Sequence, residues 1–151
     1  FVSQNYGAKE YSRIKRGIKY LILISWAWAT LSCIVTYSFG YYLVTSITGT
    51  GADVKIINAG LQYLKAGVPF YYSLYVLVII RSSLQGINQK KLPLVASGIE
   101  LLVKITATGW LIPKLGFIVI CFAEPVIWVL GMLWVAPAFY LSLKKLSERK
   151  D

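Results

Sequence analysis

The 151-residue sequence predicts an all-α membrane protein with four transmembrane helices. Three observations carry that prediction. Hydrophobic residues make up 57% of the chain and charged ones 15%, well under the roughly one quarter usual in soluble domains. From Tyr20 to Ala52 there is no Asp, Glu, Lys, Arg or His. At about 1.5 Å per residue, a run of that length outspans the roughly 30 Å hydrocarbon core of a bilayer. The 16 Lys and Arg, against 6 Asp and Glu, gather at the ends of the apolar blocks. The formal net charge of +10 therefore reads as membrane topology and attraction to anionic lipid, not as nucleic-acid binding. The lipid bilayer is the expected partner, and no nucleic acid is expected.

The first helix is expected from about Ile18 to Ile47. Aromatics ring its two ends, with Tyr20, Trp26 and Trp28 on one side and Tyr37, Tyr41 and Tyr42 on the other. Trp26 and Trp28 read as lipid anchors, because such rings prefer the membrane interface. The two glycines of Thr48–Ala52 mark a turn. A second helix follows from about Val54 to Gln85. Within it Pro69 removes one backbone hydrogen bond, frees the carbonyl of Lys65 and bends the helix. Tyr63, Tyr71, Tyr72, Ser73 and Tyr75 surround that bend. Pro69, Tyr72 and Ser73 are candidate cavity residues, since bent helices in transporters expose backbone dipoles. Gly86–Lys91 is a second turn. The third helix spans Pro93–Ile112, with Pro93 in its first turn and Pro113 as its stop. The last helix starts at Gly116 or at Pro125 and runs to Leu143, bent at Pro137.

Lys and Arg positions orient these helices. Lys9, Arg13, Lys15, Arg16 and Lys19 precede the first helix, Arg81, Lys90 and Lys91 surround the Gly86–Lys91 turn, and Lys144, Lys145, Arg149 and Lys150 form the tail. Lys55, Lys65 and Lys114 fall on the other side. The bias makes the opening segment, the 86–91 turn and the tail cytoplasmic. The chain opens at Phe1 in a polar, loop-like stretch without a leader, and is read as a piece of a longer protein.

Ionisable groups inside a bilayer are costly and point to function. Ser97, Glu100, Lys104 and Thr108 are spaced three, four and four residues apart, so they share one face of the third helix. With Pro93 at the surface, Glu100 lies about 10 Å deep and Lys104 about 16 Å. Glu100 and Lys104 can pair within the helix, either as a structural pair or as a cavity-lining ion site. Glu124 caps the last helix if that helix starts at Pro125, and is embedded if it starts at Gly116. Arg81 is either a cytoplasmic anchor or the partner of an embedded carboxylate.

The absence of His excludes Ser-His triads, haem ligation by His and His-ligated zinc. Asp occurs only at Asp53 and Asp151, so the usual catalytic constellations cannot be built and no enzyme is expected. Cys33 and Cys121 lie in apolar runs without a CxxC partner and read as small hydrophobes. No cofactor is expected.

Phe1-Val2-Ser3-Gln4-Asn5-Tyr6-Gly7-Ala8, followed by Arg13 and Gly17, resembles the loop after the eighth helix of bacterial multidrug and toxic compound extrusion (MATE) transporters. Arg81-Ser82-Ser83-Leu84-Gln85-Gly86, then Pro93 and Glu100, resembles that family's tenth-to-eleventh helix junction. Gly116 and Ala123-Glu124-Pro125 resemble the start of its last helix. The resemblance implies most of the second six-helix lobe of a twelve-helix antiporter in a bacterial plasma membrane. Its further partners would be the N-terminal lobe of the same chain and a small organic substrate. The compounds exported would be cationic or amphipathic, exchanged for protons or sodium. Gln4, Asn5, Gly7, Ala8 and Arg13 would form a gating cytoplasmic loop with Arg81, Gln85 and Gly86. The Asp that sodium-linked members carry on the tenth helix has no counterpart, because Leu61–Gln85 holds no Asp or Glu. Glu100, Lys104 and Glu124 are the remaining ion-coupling candidates, with Ser97 and Thr108 beside them in the cavity. A lipid-linked oligosaccharide flippase of the same superfamily and a non-transporting membrane subunit are the alternative functions.

Overall fold

The computed structural model describes residues 1–49 and 51–148. Thr50, Arg149, Lys150 and Asp151 lie outside the described residues. The described chain is helical throughout: α1 (Val2–Gly7), α2 (Tyr11–Thr48), α3 (Val54–Gly67), a 3-10 turn (Val68–Phe70), α4 (Tyr71–Gly86), α5 (Lys91–Thr106), a π turn (Ala107–Leu111), α6 (Ile112–Leu115) and α7 (Phe117–Glu148). Four stretches are long and apolar enough to cross a bilayer: Tyr11–Thr48, Val54–Gly86, Lys91–Leu115 and Phe117–Glu148. The chain is a multi-pass membrane protein.

Several boundaries differ from the sequence expectation for identifiable reasons. The opening is not a loop, because Val2 and Tyr6 pack onto the core and hold residues 2–7 as a short helix. The first long helix starts at Tyr11 and not at Ile18. Ile14 and Ile18 are buried on its inner face, while the charged residues between them face outward and do not interrupt the helix. Pro113 does not stop the third helix. The π turn lets the Ile112 N–H reach the Ala107 carbonyl, five residues back, and the chain stays helical to Leu115. A wide turn of this kind is where a helix can admit a proline ring without a clash. The break comes instead at Gly116, whose φ of +67° suits a residue without Cβ. The last helix runs unbroken through Pro125 and Pro137, so Glu124 is an interior residue and not a cap.

α7 is the central post of the bundle. Ile127, Gly131, Val135, Phe139 and Leu143 recur every fourth residue and are all buried, forming one ridge that lies along α4. Gly131 lets α4 approach closely in that ridge, since a Cβ there would stand 3.0 Å from the end of the Leu77 side chain. α2 packs on α3 and α4, and α5 packs on the opposite flank of α7. Gly60 of α3 lets Val44 of α2 approach as closely as 3.0 Å from where a Cβ would sit. The main core joins Ile14 and Ile18 of α2, Ile80 and Leu84 of α4, Ile87, Ala96 of α5 and Leu143 of α7. The start of α2, the α4–α5 turn and the end of α7 therefore meet at one end of the bundle. That end gathers the basic groups Lys9–Lys19, Lys90–Lys91 and Lys144–Lys145.

Candidate functional site

Two features carry the polar groups of the bundle: the 3-10 turn that joins α3 to α4, and a row of charges on α5. The break lies at Val68–Phe70, midway along the Val54–Gly86 span. Pro69 offers no N–H, so the Lys65 carbonyl loses its helical donor. Tyr37 of α2 donates its hydroxyl to that carbonyl at 3.0 Å. One turn earlier, the Cys33 thiol donates weakly to the Val68 carbonyl at 3.7 Å. Thr30 Oγ1 shares a hydrogen bond with the Tyr72 hydroxyl at 2.8 Å, and Trp26 Nε1 donates to the Tyr72 carbonyl at 3.3 Å. Trp26, Thr30, Cys33 and Tyr37 are spaced four, three and four residues apart, so one stripe of α2 secures the bend. Trp26, expected as a lipid anchor, is exposed and also gives its indole N–H to α4 at the bend. Trp28 faces outward. Cys33 likewise does more than fill space.

Tyr37→Phe should therefore destabilise the chain by about 1 kcal/mol, the cost of leaving a carbonyl in a membrane-spanning helix without its donor. Thermal unfolding in detergent measures it. The outward-facing Tyr42 gives the control, since Tyr42→Phe should change stability by less than about 0.5 kcal/mol. Equal effects of the two changes would remove Tyr37 from this role.

The charges on α5 do not pair with each other. Glu100 takes the guanidinium of Arg81 on α4, Nη1 to Oε1 at 2.8 Å. Arg81 Nη2 also donates to Ser97 Oγ, and the Ser97 hydroxyl reaches the Pro93 carbonyl at 3.3 Å. Lys104 takes Glu124 of α7, Nζ to Oε1 at 2.9 Å. The expected Glu100–Lys104 pair is thus replaced by two pairs across helix interfaces. Partners on neighbouring helices neutralise both carboxylates and tie α4 to α5 and α5 to α7 at the same time. Arg81 is a carboxylate partner. Glu100 is 23% exposed and Arg81 28%, whereas Lys104 is 52% and Glu124 37%, so the second pair is the more open. A carboxylate in a membrane-spanning segment is costly unless matched, so each pair protects its own neutrality.

Glu124 also borders a small cavity of about 50 Å³ at the break, with Tyr63, Gly67, Tyr71, Cys121 and Trp128. The Tyr71 and Trp128 rings lie 5.9 Å apart, and the Tyr71 and Tyr75 rings 6.2 Å. Aromatic faces beside a carboxylate can hold a cation. Trp128 was not singled out from the sequence, although it stands four residues after Glu124 on the same face.

The proposed cavity residues are not all brought together. Pro69 is in the break, and Ser73 follows it in the first turn of α4. Tyr72 turns toward α2, away from Glu124. Ser97 belongs to the Arg81 pair. Thr108 falls within the π turn and is exposed, sharing a shallow surface with Lys104 and Gly109. Of the loop residues, Gln4, Asn5 and Gly7 belong to α1, with Ala8 closing it, and the Asn5 side chain donates to the Phe1 carbonyl at 2.8 Å. Arg13 opens α2. Gln85 and Gly86 end α4, where Gly86 meets Val2 so closely that a Cβ would stand 2.9 Å away. The two segments at this end of the bundle therefore touch.

No curated protein and no solved structure matches the chain. A family model, MatE, matches residues 1–110 of the 151, taking in α1, the broken helix and the charged face of α5. With four membrane-spanning helices and that match, the chain belongs to the MatE family of membrane transporters.

Proposed function

We propose that the chain forms most of the second lobe of a cation-coupled antiporter in a bacterial plasma membrane. It exports organic, cationic or amphipathic compounds in exchange for protons or sodium. The 86–91 turn, the opening segment and the tail face the cytoplasm, as their shared basic end supports. The observation that carries the reading is Glu124, a membrane-embedded carboxylate shared between Lys104 and an aromatic-lined cavity at a helix break.

The mechanism follows from competition for that carboxylate. The cavity of about 50 Å³ has room for a coupling ion only, so an organic cation over the Tyr71 and Trp128 rings needs the cavity to open as well as Glu124 ionised. A proton or sodium ion arriving at Glu124 neutralises it, removes the counter-charge for the organic cation and frees Lys104. A freed Lys104 can turn toward Glu100, one turn below it on α5. Cargo and coupling ion then exclude one another, which is the requirement for exchange. Breaking the Lys104–Glu124 pair also unties α5 from α7, so the same event changes which side the cavity opens to.

A flippase for lipid-linked oligosaccharide would need several free cations in the cavity to hold a pyrophosphate. Arg81 and Lys104 are each matched to a carboxylate, which favours the antiporter. The test is uptake of an ethidium-like dye into everted membrane vesicles containing the protein. Dye accumulation driven by a proton or sodium gradient, and collapsed by an ionophore for that ion, is the expected result. Dye movement unaffected by both gradients, with the protein present in the membrane, would overturn the proposal.

A further inference from the structure

A second site lies away from the charged face, along the outside of the bundle. A groove of about 390 Å³ runs between α2 and the C-terminal half of α7, with its floor on α4. Lys15 and Lys19 stand at one end and Trp26 at the other, with Ile22 and Phe139 on the walls and Tyr140 at the mouth. Lys15 and Lys19 are four residues apart, on one face of α2. Both are exposed, and Lys15 Nζ sits 6.0 Å from the centre of the Tyr140 ring. Among the described residues neither lysine has a carboxylate partner. From Lys19 to Trp26 the groove descends seven residues, about 10 Å at 1.5 Å per residue, into the membrane-spanning part of α2. The Trp26 indole N–H at the deep end is already given to the Tyr72 carbonyl, so the inner groove asks for no polar partner.

An occupant must therefore be apolar along its length and anionic at one end. A neighbouring apolar helix would satisfy the walls and leave two ammonium groups unmatched at the membrane surface. We propose that the groove binds an anionic phospholipid, one acyl chain lying between α2 and α7 and the phosphate resting between Lys15 and Lys19. Basic pockets between membrane helices commonly select anionic head groups in this way. The site is independent of the exchange mechanism, since it uses none of the α5 charges.

Native mass spectrometry of the detergent-solubilised protein, titrated with phosphatidylglycerol or phosphatidylcholine, tests the proposal. Phosphatidylglycerol should stay bound and phosphatidylcholine should bind much more weakly. Each lysine near an anionic head group contributes about a fivefold preference, so Lys15→Gln with Lys19→Gln should weaken phosphatidylglycerol binding about thirtyfold. The Lys15→Arg, Lys19→Arg pair should keep it. Ile22→Trp fills the groove and leaves both charges in place, and it should also release the lipid. Equal retention of both lipids overturns the proposal. So does wild-type retention by the double Gln variant, release of the lipid by inorganic phosphate alone, or a second copy of the chain in place of lipid.

Discussion

Arg81→Met should destabilise the chain by about 1–3 kcal/mol, less than the loss of one partner from a fully buried ion pair, because Arg81 and Glu100 are only part-buried. Arg81 supplies both the cation for Glu100 and a donor for Ser97, so the substitution strands a carboxylate on α5 inside the membrane-spanning bundle, while the Ser97 hydroxyl keeps the Pro93 carbonyl. Abundance in the membrane and the unfolding midpoint in detergent should fall together. A second substitution, Glu100→Met, should restore most of the loss, because a pair replaced on both sides by apolar groups is often near neutral. Glu100→Gln should act differently. Its amide oxygen can still accept from Arg81, so transport should fall more than abundance. If Arg81→Met and its double variant are equally unstable, the pair is not what holds α4 against α5.

Glu124→Gln should remove coupling while leaving the protein in the membrane. The amide cannot bind a proton or a cation as a carboxylate does, yet it keeps size and a hydrogen-bonding oxygen beside Lys104. The expected loss of ion-driven dye exchange is about a hundredfold, equivalent to about 3 kcal/mol of discrimination between the two occupants of the site. Lys104→Gln should lose coupling as well, by leaving Glu124 without its internal counter-charge. Full gradient-driven exchange by Glu124→Gln would transfer the coupling role to another carboxylate. Comparable losses of abundance and exchange would assign Glu124 to folding instead.

Much of the architecture could be read from residue patterns. The uncharged Tyr20–Ala52 run, the Pro69 bend and the shared face of Ser97, Glu100 and Lys104 are local features that follow from helix geometry. What could not be read was pairing across interfaces. Spacing alone makes Glu100 and Lys104 natural partners, and only the placement of α4 and α7 beside α5 brings Arg81 and Glu124 nearer. The same holds for the Lys65 carbonyl. Its release is visible in the sequence, whereas its capture by Tyr37, 28 residues away, depends on tertiary packing. Pro113 misled for a third reason, since a π turn leaves no compositional mark and converts an expected stop into a continuation.

The neutrality of the α5 face has an electrical consequence. A membrane potential of 100 mV acts on each lone elementary charge with about 2.3 kcal/mol when that charge crosses the full field. Arg81, Glu100, Lys104 and Glu124 sum to zero, so a rotation that carries them as a group displaces no gating charge. The four charges themselves then add nothing to the voltage sensitivity of turnover, which a potential-jump record measures directly.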